Sequence, residues 1–277
     1  MIWVGALPGT IALVEAVGIP VFSDIPQAMR ALHATRELSR LQAQARAHRP
    51  ALTQRSEPCT RAPGGAHISE WDGKQLLARQ SAVSLPRGWL IQDRFAALPD
   101  DLPYPLVAKL QSPQLLHKSD AGGVVLKIQD KQALEAAVQR LFVVGGALDI
   151  PLQGVLIEQM LPFDHELLLG LRRDERFGPV LTLARGGVEA EADPDVVNLL
   201  LPASQTEIHR MLHRLRYARL LNGFRGKPAA DLDAIAQRIF GLCEWFLEQP
   251  LRELEINPLA LQGGNALALD ALIAPAG

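Results

Sequence analysis

The stretch YPLVAKLQSPQLLHKSDAGGVVLKI, residues 104–128, places two short apolar runs on either side of a polar segment that ends in a glycine pair. This order predicts two strands joined by a loop. Gly122 and Gly123 allow backbone N–H groups to turn toward a phosphate, and Lys109 and Lys118 supply positive charge beside them. On these residues alone, an ordinary turn with a solvated edge is the commoner explanation, and a phosphate loop is the alternative.

Composition excludes several classes of function. The chain has 277 residues, of which 48% are hydrophobic, and a formal net charge of −2. Without an excess of basic residues, we expect neither nucleic acid nor an anionic membrane as a partner. Cys59 and Cys243 are far apart and have no metal-binding spacing, which favours a protein of the reducing cytoplasm. The apolar start is interrupted by Glu15 before it reaches the length of a membrane span.

The N-terminal part of the chain predicts a short βα fragment, followed by a linker. Within residues 1–48 we expect a helix over 11–17, a buried strand over 18–22 and an amphipathic helix over 25–48. Residues 49–66 are rich in Pro, Gly, Ser, Thr and Arg and have no apolar period. This composition is typical of an exposed linker.

The remainder, residues 67–277, predicts one mixed domain of class α/β (α+β). Ser69 is the expected N-cap of a helix that starts near Glu70 and turns Leu76 and Leu77 toward a core. We expect the three strands over 154–185 to form one antiparallel sheet. The other expected elements are a helix over 131–145, helices over 205–221 and 231–247, and a strand pair, LRELEINPLAL and NALALDALI, around the turn QGGN.

Two short oxygen-bearing side chains stand on that C-terminal strand pair. Asn257 and Asp270 are suited to hold a hard cation such as Mg²⁺ together with nucleotide phosphates. The alternative is a turn at Asn257 and an ordinary strand-end charge at Asp270. The strand LIEQM, residues 156–160, offers backbone groups to an adenine edge. Glu166 is a carboxylate in an apolar strand, although a lone Glu in a strand usually faces water.

Four motifs in a fixed order resemble one known family: ISEWDGKQLL, YPLVAKLQSPQLLHKSDAGGVVLKI, GVLIEQMLPFDHELLLGLRRDERFGPVLTLARGGVEAE and LRELEINPLALQGGNALALDALI. From Ser69 to Ile273 the chain resembles the ATP-grasp domain of the ADP-forming acyl-CoA synthetases, the acetate–CoA ligase family, which is related to the succinyl-CoA synthetase β subunit. The resemblance implies an ATP-grasp fold of two α+β subdomains, preceded by the short βα remnant.

The resemblance also implies a site for ATP or ADP with Mg²⁺. Asn257 and Asp270, with Glu255 nearby, would hold the metal ion. His117 matches a histidine that relays the phosphoryl group, and a histidine simply hydrogen-bonded beside the loop is the equal alternative. The expected nucleotide contacts are Lys109, Lys118, Gly122 and Gly123 for the phosphates, Glu158, Gln159 and Met160 for adenine, and Glu166 for the ribose.

Two hypotheses about function remain open. Fused members of the resembled family also carry a CoA-binding domain and a ligase domain with the phosphorylated histidine, which these 277 residues do not match. We therefore expect a partner subunit to supply them, with CoA bound only there. Under the first hypothesis, the chain is the ATP-binding portion of an ADP-forming acyl-CoA synthetase. Under the second, it is a degenerate, non-catalytic nucleotide-binding subunit or a truncated remnant. Three departures from the family support the second hypothesis, namely Gln159 for an acid, Glu189 for an aromatic residue and Leu199 for an arginine.

Overall fold

A computed structural model of the chain describes residues 7–22, 24–47, 67–115, 118–187 and 195–276. The chain divides into two units, Met1–Ser56 and Glu57–Gly277. The predicted linker over 49–66 lies outside the described residues. Among the described helices, none combines the length and the apolar character needed to cross a membrane.

Two helices make up the described part of the first unit, α1 (Pro8–Glu15) and α2 (Ile25–Ala47). Both helices are predicted by the sequence, and both predictions are confirmed. The apolar positions of the α2 pattern are Met29, Leu32 and Leu38, and each of these side chains is more than half exposed. The helical period therefore predicts the helix correctly but not the burial of its apolar side.

The strand predicted over 18–22 is reduced to a single residue in a β-bridge, Phe22. Gly18 has a φ of 80°, the left-handed conformation that commonly ends helices, and its N–H donates to the carbonyl of Glu15 at 2.9 Å. Pro20 has no N–H to donate to a neighbouring strand. The first residues of the stretch therefore close α1, and of residues 18–22 only Phe22 is in a β-bridge.

Two antiparallel sheets and five helices are found among the described residues of the second unit. In chain order the elements are α3 (Glu70–Leu77), β1 (Gly88–Ile91), β2 (Leu106–Gln111), β3 (Val124–Ile128), α4 (Lys131–Gly146), β4 (Gly154–Gln159), β5 (His165–Asp174), β6 (Gly178–Arg185), β7 (Val196–Leu200), α5 (Gln205–Arg214), α6 (Ala218–Leu221), α7 (Leu232–Glu248), β8 (Leu251–Gln262), β9 (Asn265–Ala268) and β10 (Ala271–Pro275). The smaller sheet has the strand order β1–β4–β2–β3. The larger has the order β10–β8–β5–β6–β7, with β9 paired to β8. The predicted α/β (α+β) class is confirmed.

The three strands predicted over 154–185 do not share one sheet, so this expectation is wrong. Strand β4 pairs with β1 and β2, whereas β5 and β6 pair with each other in the larger sheet. The chain crosses from one sheet to the other between Met160 and His165. Periodicity identifies a segment as a strand but carries no information about the strand with which it pairs.

The helix predicted over 205–221 is interrupted. Leu215 is extended, with φ −63° and ψ 137°. Beyond it, the carboxylate of Asp195 accepts hydrogen bonds from the N–H groups of Arg216, at 2.9 Å, and Tyr217, at 2.7 Å. These contacts replace the helical hydrogen bonds and separate α5 from α6. The helix predicted over 231–247 is confirmed as α7.

The smaller sheet presents two different faces. Leu106, Ala108 and Leu110 of β2 belong to an apolar core that also contains buried leucines of α4. Because side chains alternate along a strand, Lys109 and Gln111 lie on the opposite face of β2, and both are buried there as well. This second face therefore carries polar groups away from water.

Helix α3 covers that polar face. Its N-terminus is capped by Ser69, whose hydroxyl accepts from the N–H of Asp72 at 3.1 Å, as predicted. The N–H of Trp71 donates to the side-chain oxygen of Gln111 at 3.0 Å, which ties the first turn of α3 to β2. On its other side α3 packs against β10, since a Cβ on Gly73 would lie 3.4 Å from Ile273. The helix is thus fixed to both sheets.

Candidate functional site

Three lysines and three carboxylates meet where α3, β2, β4 and the residues before β10 come together. Their charged atoms lie 2.6–3.2 Å apart. We call this group the lysine–carboxylate cluster, and it consists of Glu70, Lys74, Lys109, Lys118, Glu158 and Asp270.

Glu70 is the centre of the cluster. Its Oε1 accepts from the Nζ atoms of Lys74 and Lys109, both at 2.7 Å, and its Oε2 lies 3.2 Å from the Nζ of Lys118. The Glu70 side chain is fully buried. Glu70 and Lys74 are one helical turn apart on α3, on the same side of the helix as the buried Leu77. One helix face therefore supplies two members of the cluster.

Glu158 is the second buried carboxylate. It lies on β4, and its two oxygens are 2.6 and 2.8 Å from the Nζ of Lys74. Its Oε2 is also 2.9 Å from the Nζ of Lys109. The backbone carbonyl of Leu269 accepts from the same two ammonium groups, at 2.8 and 2.6 Å. Lys74 and Lys109 are thus enclosed by oxygen atoms.

Burial and charge act in opposite directions on the pKa values of the cluster. Burial raises the pKa of Glu70, but the ammonium groups of Lys109, Lys74 and Lys118 outweigh it and hold that pKa well below its ordinary range. Burial lowers the pKa of Lys109 and of Lys118, but the neighbouring carboxylates, Glu70 first, raise both above the ordinary lysine value. The pKa of Asp270 is raised, first by burial and then by the charge of Glu70. Lys109 and Lys118 are therefore ammonium ions at neutral pH.

Lys118 begins the turn that contains the glycine pair. Its Nζ lies 3.2 Å from both carboxylate oxygens of Asp270. Gly122, with a φ of 68°, donates its N–H to the carbonyl of Ser119 at 3.0 Å, and Gly123 donates to the carbonyl of Lys118 at 2.7 Å. The two amides that we expected to face a phosphate are thus used to close the turn that carries Lys118.

Asp270 and Asn257 lie side by side at the edge of the cluster. The N–H of Asn257 donates to the backbone carbonyl of Asp270 at 3.3 Å, and the side chain of Asn257 is exposed. A carboxylate and an amide oxygen are ligands that Mg²⁺ accepts. The ammonium group of Lys118 already occupies a cation position against the Asp270 carboxylate. The donor set therefore fits a magnesium ion that takes its other ligands from water and phosphate.

Glu255 lies farther along β8, opposite Gly170 of β5. It borders a pocket of about 580 Å³ on the face of the larger sheet, together with Thr182 and Asn198. Over the described ranges of the chain, no three His, Cys, Asp or Glu side chains are grouped closely enough to hold a metal ion by themselves. A metal at Asp270 would therefore need ligands from outside this set of side chains.

Comparison with known proteins identifies the family. Residues 60–274 match the family described as an ATP-grasp domain. The chain belongs to the ATP-grasp family. The β subunit of ADP-forming acetate–CoA ligase I from Pyrococcus furiosus is 33% identical to it, over 62% of this chain and 75% of that protein. The resemblance to the ADP-forming acyl-CoA synthetases is thereby confirmed.

Longer relatives and solved structures extend this comparison. Trans-feruloyl-CoA synthase FCS1, from an unknown prokaryotic organism, is 33% identical over 93% of this chain and 36% of that protein. The chain spans little more than a third of the length of such relatives. Acetyl-coenzyme A synthetase 1 of Ca. Korarchaeum cryptofilum, solved with coenzyme A and Ca-AMPCP, has a TM-score of 0.69 at 25% identity, over 76% of this chain and 93% of that chain. In a second structure of that protein, with Mg-AMPPCP, a phosphohistidine segment points towards the nucleotide binding site, and the TM-score is 0.64 at 26% identity, with the same two coverages.

These likenesses confirm the predicted ATP-grasp fold of two α+β subdomains, and they place the smaller sheet and the larger sheet in one domain. The residues predicted to lie against adenine take two different positions in this ATP-grasp domain. Glu158 turns into the lysine–carboxylate cluster, whereas Gln159 and Met160 continue along the end of β4. The N–H of Gln159 donates to the carbonyl of Arg87, and that of Met160 donates to the carbonyl of Pro105, both at 2.9 Å. The structure therefore brings only Glu158 together with the predicted phosphate lysines.

The other predicted residues are spread over the ATP-grasp domain. Glu166 lies on β5 of the larger sheet, partly buried beside Gly187. Leu199, one of the departures from the family, packs against the apolar core of the larger sheet. His117 and Glu189 lie outside the described residues. Their expected roles stay predictions.

Sequence reasoning missed Glu70, Lys74 and Gln111 as members or supports of the site. A Glu and a Lys four residues apart usually form an exposed pair on a helix surface. A signal for Glu70 and Lys74 was present in the sequence: their spacing from Leu77 puts the side chains of Glu70, Lys74 and Leu77 on one face of the helix. A leucine predicted to be buried therefore predicts that these two charges are buried as well.

Proposed function

We propose that this ATP-grasp domain binds ATP or ADP with Mg²⁺ at the lysine–carboxylate cluster and forms the nucleotide-binding part of an ADP-forming acyl-CoA synthetase. In that reaction, ATP, a carboxylic acid and CoA yield acyl-CoA, ADP and phosphate, through an acyl phosphate and a phosphohistidine. The observation that carries the proposal is the group of three buried lysine side chains in a domain of this family.

The cluster supports phosphate binding through its ammonium groups and its dimensions. Its ammonium groups lie 2.6–3.2 Å from carboxylate oxygens, which is the distance at which ammonium groups also hold phosphate oxygens. Phosphoryl transfer needs little covalent chemistry from the protein, because positioning and neutralisation of the phosphate charge supply most of the catalysis. We give the direct phosphate contact to Lys118 and a supporting positive charge to Lys109, which shares the Glu70 carboxylate with it, and Gly122 and Gly123 shape the turn.

A magnesium ion would be held by the side-chain oxygens of Asp270 and Asn257, with Glu255 as a further carboxylate nearby. When bound, the metal would supply positive charge that neutralises the charge developing on the phosphate. The contribution of the chain is to fix one carboxylate and one amide at the edge of the lysine–carboxylate cluster. The ordered backbone contact between Asn257 and Asp270 supports this pairing.

The base, the sugar and the phosphoryl acceptor are assigned by the family resemblance. The end of β4, at Gln159 and Met160, would meet adenine, with Glu158 joining this strand to the lysines. Glu166 would meet the ribose from β5. His117, just before Lys118, would relay the phosphoryl group. Each of these assignments is a proposal that awaits a nucleotide-bound structure.

A partner chain would complete the enzyme. One relative is the β subunit of an acetate–CoA ligase, and another carries a match to this chain within a protein almost three times as long. We propose that residues 1–48 correspond to the end of a ligase domain, residues 49–66 to a linker and residues 67–277 to the ATP-grasp domain. The partner would bring the CoA-binding domain and the phosphorylated histidine, and it would select the acid.

Calorimetric titration with ADP and ATP in the presence of Mg²⁺ tests nucleotide binding. We expect binding by the wild-type chain and a dissociation constant that is about tenfold or more higher for Asp270→Asn, because a charge-assisted contact is lost. The matched control is Asp100→Asn, since the Asp100 side chain is 94% exposed. A wild-type chain that binds no nucleotide with Mg²⁺ would overturn the proposal.

A second experiment tests phosphoryl transfer. The chain is mixed with a CoA-binding ligase subunit of the family, acetate, CoA and Mg-ATP, and acyl-CoA and ADP are measured. We expect products only when both chains are present. Nucleotide binding without any transfer would favour the alternative, a non-catalytic nucleotide-binding subunit.

A further inference from the structure

The three lysines of the lysine–carboxylate cluster are not held equally. The Nζ of Lys74 has four oxygen neighbours at 2.6–2.8 Å, and that of Lys109 has three at 2.6–2.9 Å. An ammonium group has three N–H donors. The donors of Lys74 and Lys109 are therefore fully used, and both residues lie on regular elements, α3 and β2.

Lys118 has a different environment. Its three oxygen neighbours, two on Asp270 and one on Glu70, are all at 3.2 Å. It lies in a turn and not in a helix or strand. Its main partner, the Asp270 carboxylate, is 38% exposed, whereas the Glu158 carboxylate is 2% exposed. Lys118 is thus the lysine of the cluster with the longest contacts, on the carboxylate that water reaches most easily.

We propose that Lys118 acts as a built-in counter-ion, which occupies the metal position at Asp270 until a divalent cation arrives with the nucleotide and displaces it onto the phosphates. This inference rests on the proposed function and deepens it, because it gives Lys118 and Lys109 different tasks. Lys74 and Lys109 stay bound to Glu70 and Glu158 and form a fixed, charge-balanced group. Lys118 alone changes partner.

The exchange balances charge at each step. Without nucleotide, the ammonium group of Lys118 neutralises Asp270. With nucleotide, the divalent ion takes over Asp270, and Lys118 neutralises a phosphate oxygen instead. The Asp270 carboxylate has a cation beside it in both states, and the buried Glu70 and Glu158 keep Lys74 and Lys109 throughout. The turn closed by Gly122 and Gly123 is the segment that would move.

The test measures Mn²⁺ binding without nucleotide, by electron paramagnetic resonance of free Mn²⁺. If Lys118 blocks the metal position, Lys118→Met should bind Mn²⁺ about tenfold or more tightly than the wild type, since a competing charge-assisted contact is gone. Lys118→Arg keeps the positive charge and should show no gain. Lys131→Met is the matched control, because the Lys131 side chain is 60% exposed and its carboxylate partner is 3.7 Å away.

A double variant locates the effect. The gain in Mn²⁺ affinity should disappear in Lys118→Met combined with Asp270→Asn, and a gain that persists there would overturn the assignment to Asp270. Mn²⁺ binding by Lys118→Met that equals or falls below that of the wild type would overturn the exchange. If Lys118→Met does not fold by circular dichroism, Lys118→Gln takes its place with the same expected gain.

Because the readout contains no nucleotide, the two proposals fail separately. A wild-type chain that binds no Mg-nucleotide refutes the proposed function, whatever the Mn²⁺ result. A chain that binds nucleotide, but whose Lys118→Met variant gains no Mn²⁺ affinity, refutes only the exchange at Asp270.

Discussion

Replacing Lys74 by methionine removes one of the two ammonium groups that oxygen atoms enclose. The substitution keeps a long apolar side chain but eliminates contacts with Glu70 at 2.7 Å, with Glu158 at 2.6 and 2.8 Å and with the carbonyl of Leu269 at 2.8 Å. The remaining charged groups of the lysine–carboxylate cluster then carry one negative charge in excess. We therefore expect the folded state to be destabilised.

The magnitude follows from burial. Breaking a buried ion pair by removing one partner costs about 3–5 kcal/mol, because the other charge stays buried. The side chains of Lys74 and Glu158 are only 4% and 2% exposed, so solvent screens this pair little. In Lys74→Met, Glu158 keeps its ion pair with Lys109 at 2.9 Å. We therefore expect a loss of unfolding free energy at the lower end of this range, about 3 kcal/mol.

Urea denaturation, followed by circular dichroism, measures the free energy of unfolding of the wild type and the variants. The double variant Lys74→Met with Glu158→Gln restores the balance of charge, and we expect it to be more stable than Lys74→Met by about 1–2 kcal/mol. Lys131→Met is the matched control, with an exposed ion pair that contributes about 1 kcal/mol or less.

Two results would refute this reasoning about Lys74. If Lys74→Met lowers the free energy of unfolding by no more than Lys131→Met does, the buried contacts of Lys74 contribute no more to stability than an exposed ion pair. Equal or greater destabilisation in the double variant would mean that Lys74 and Glu158 are not coupled.

Three further predictions concern the stability of the protein at alkaline pH, the hydrogen bonds of Arg173 and the backbone conformation of Gly122. Because the pKa values of Lys109 and Lys118 are raised, the stability that their charges contribute is present below the ordinary lysine pKa of 10.5 and is lost as the pH rises above it. In Glu70→Gln these pKa values are raised less, so the loss of unfolding free energy at alkaline pH should be smaller than in the wild type. Arg173 donates to four carbonyls between the end of α7 and the start of β8, so Arg173→Met should lower the unfolding free energy by about 2–3 kcal/mol. Arg172→Met, at an exposed pair, should lower it by less than about 1 kcal/mol. Gly122→Ala should cost about 1–2 kcal/mol because of its φ of 68°, whereas Gly146→Ala, which has open space around it in a helix, should not destabilise, as thermal melts would check.

Much of the fold could be predicted from local pattern. The apolar period gave the bounds of α4 and α7 closely, and the N-cap at Ser69 placed the start of α3. The pairing of β4 could not be read from the sequence, because strand partners are set by contacts between distant segments. Strands β1 and β7 were not predicted at all.

The candidate site was predictable only in part. Lys109, Lys118 and Asp270 are brought together as the motifs suggested, although they are up to 161 positions apart, between Lys109 and Asp270. Glu70 and Lys74 escaped notice because a charge pair on a helix is ordinarily a surface feature. Their burial depends on α3 being fixed to both sheets, which is a tertiary property that a local pattern does not contain.

A crystal structure of the chain with Mg²⁺ and a non-hydrolysable ATP analogue tests the central claim most directly. The measured quantities are the distances from the phosphate oxygens to the Nζ of Lys118 and from the metal to the Asp270 carboxylate. We predict phosphate oxygens within hydrogen-bond distance of Lys118 and the metal on Asp270. A nucleotide bound elsewhere, with the contacts between Lys118 and Asp270 unchanged at 3.2 Å, would contradict the assignment of the lysine–carboxylate cluster as the nucleotide site.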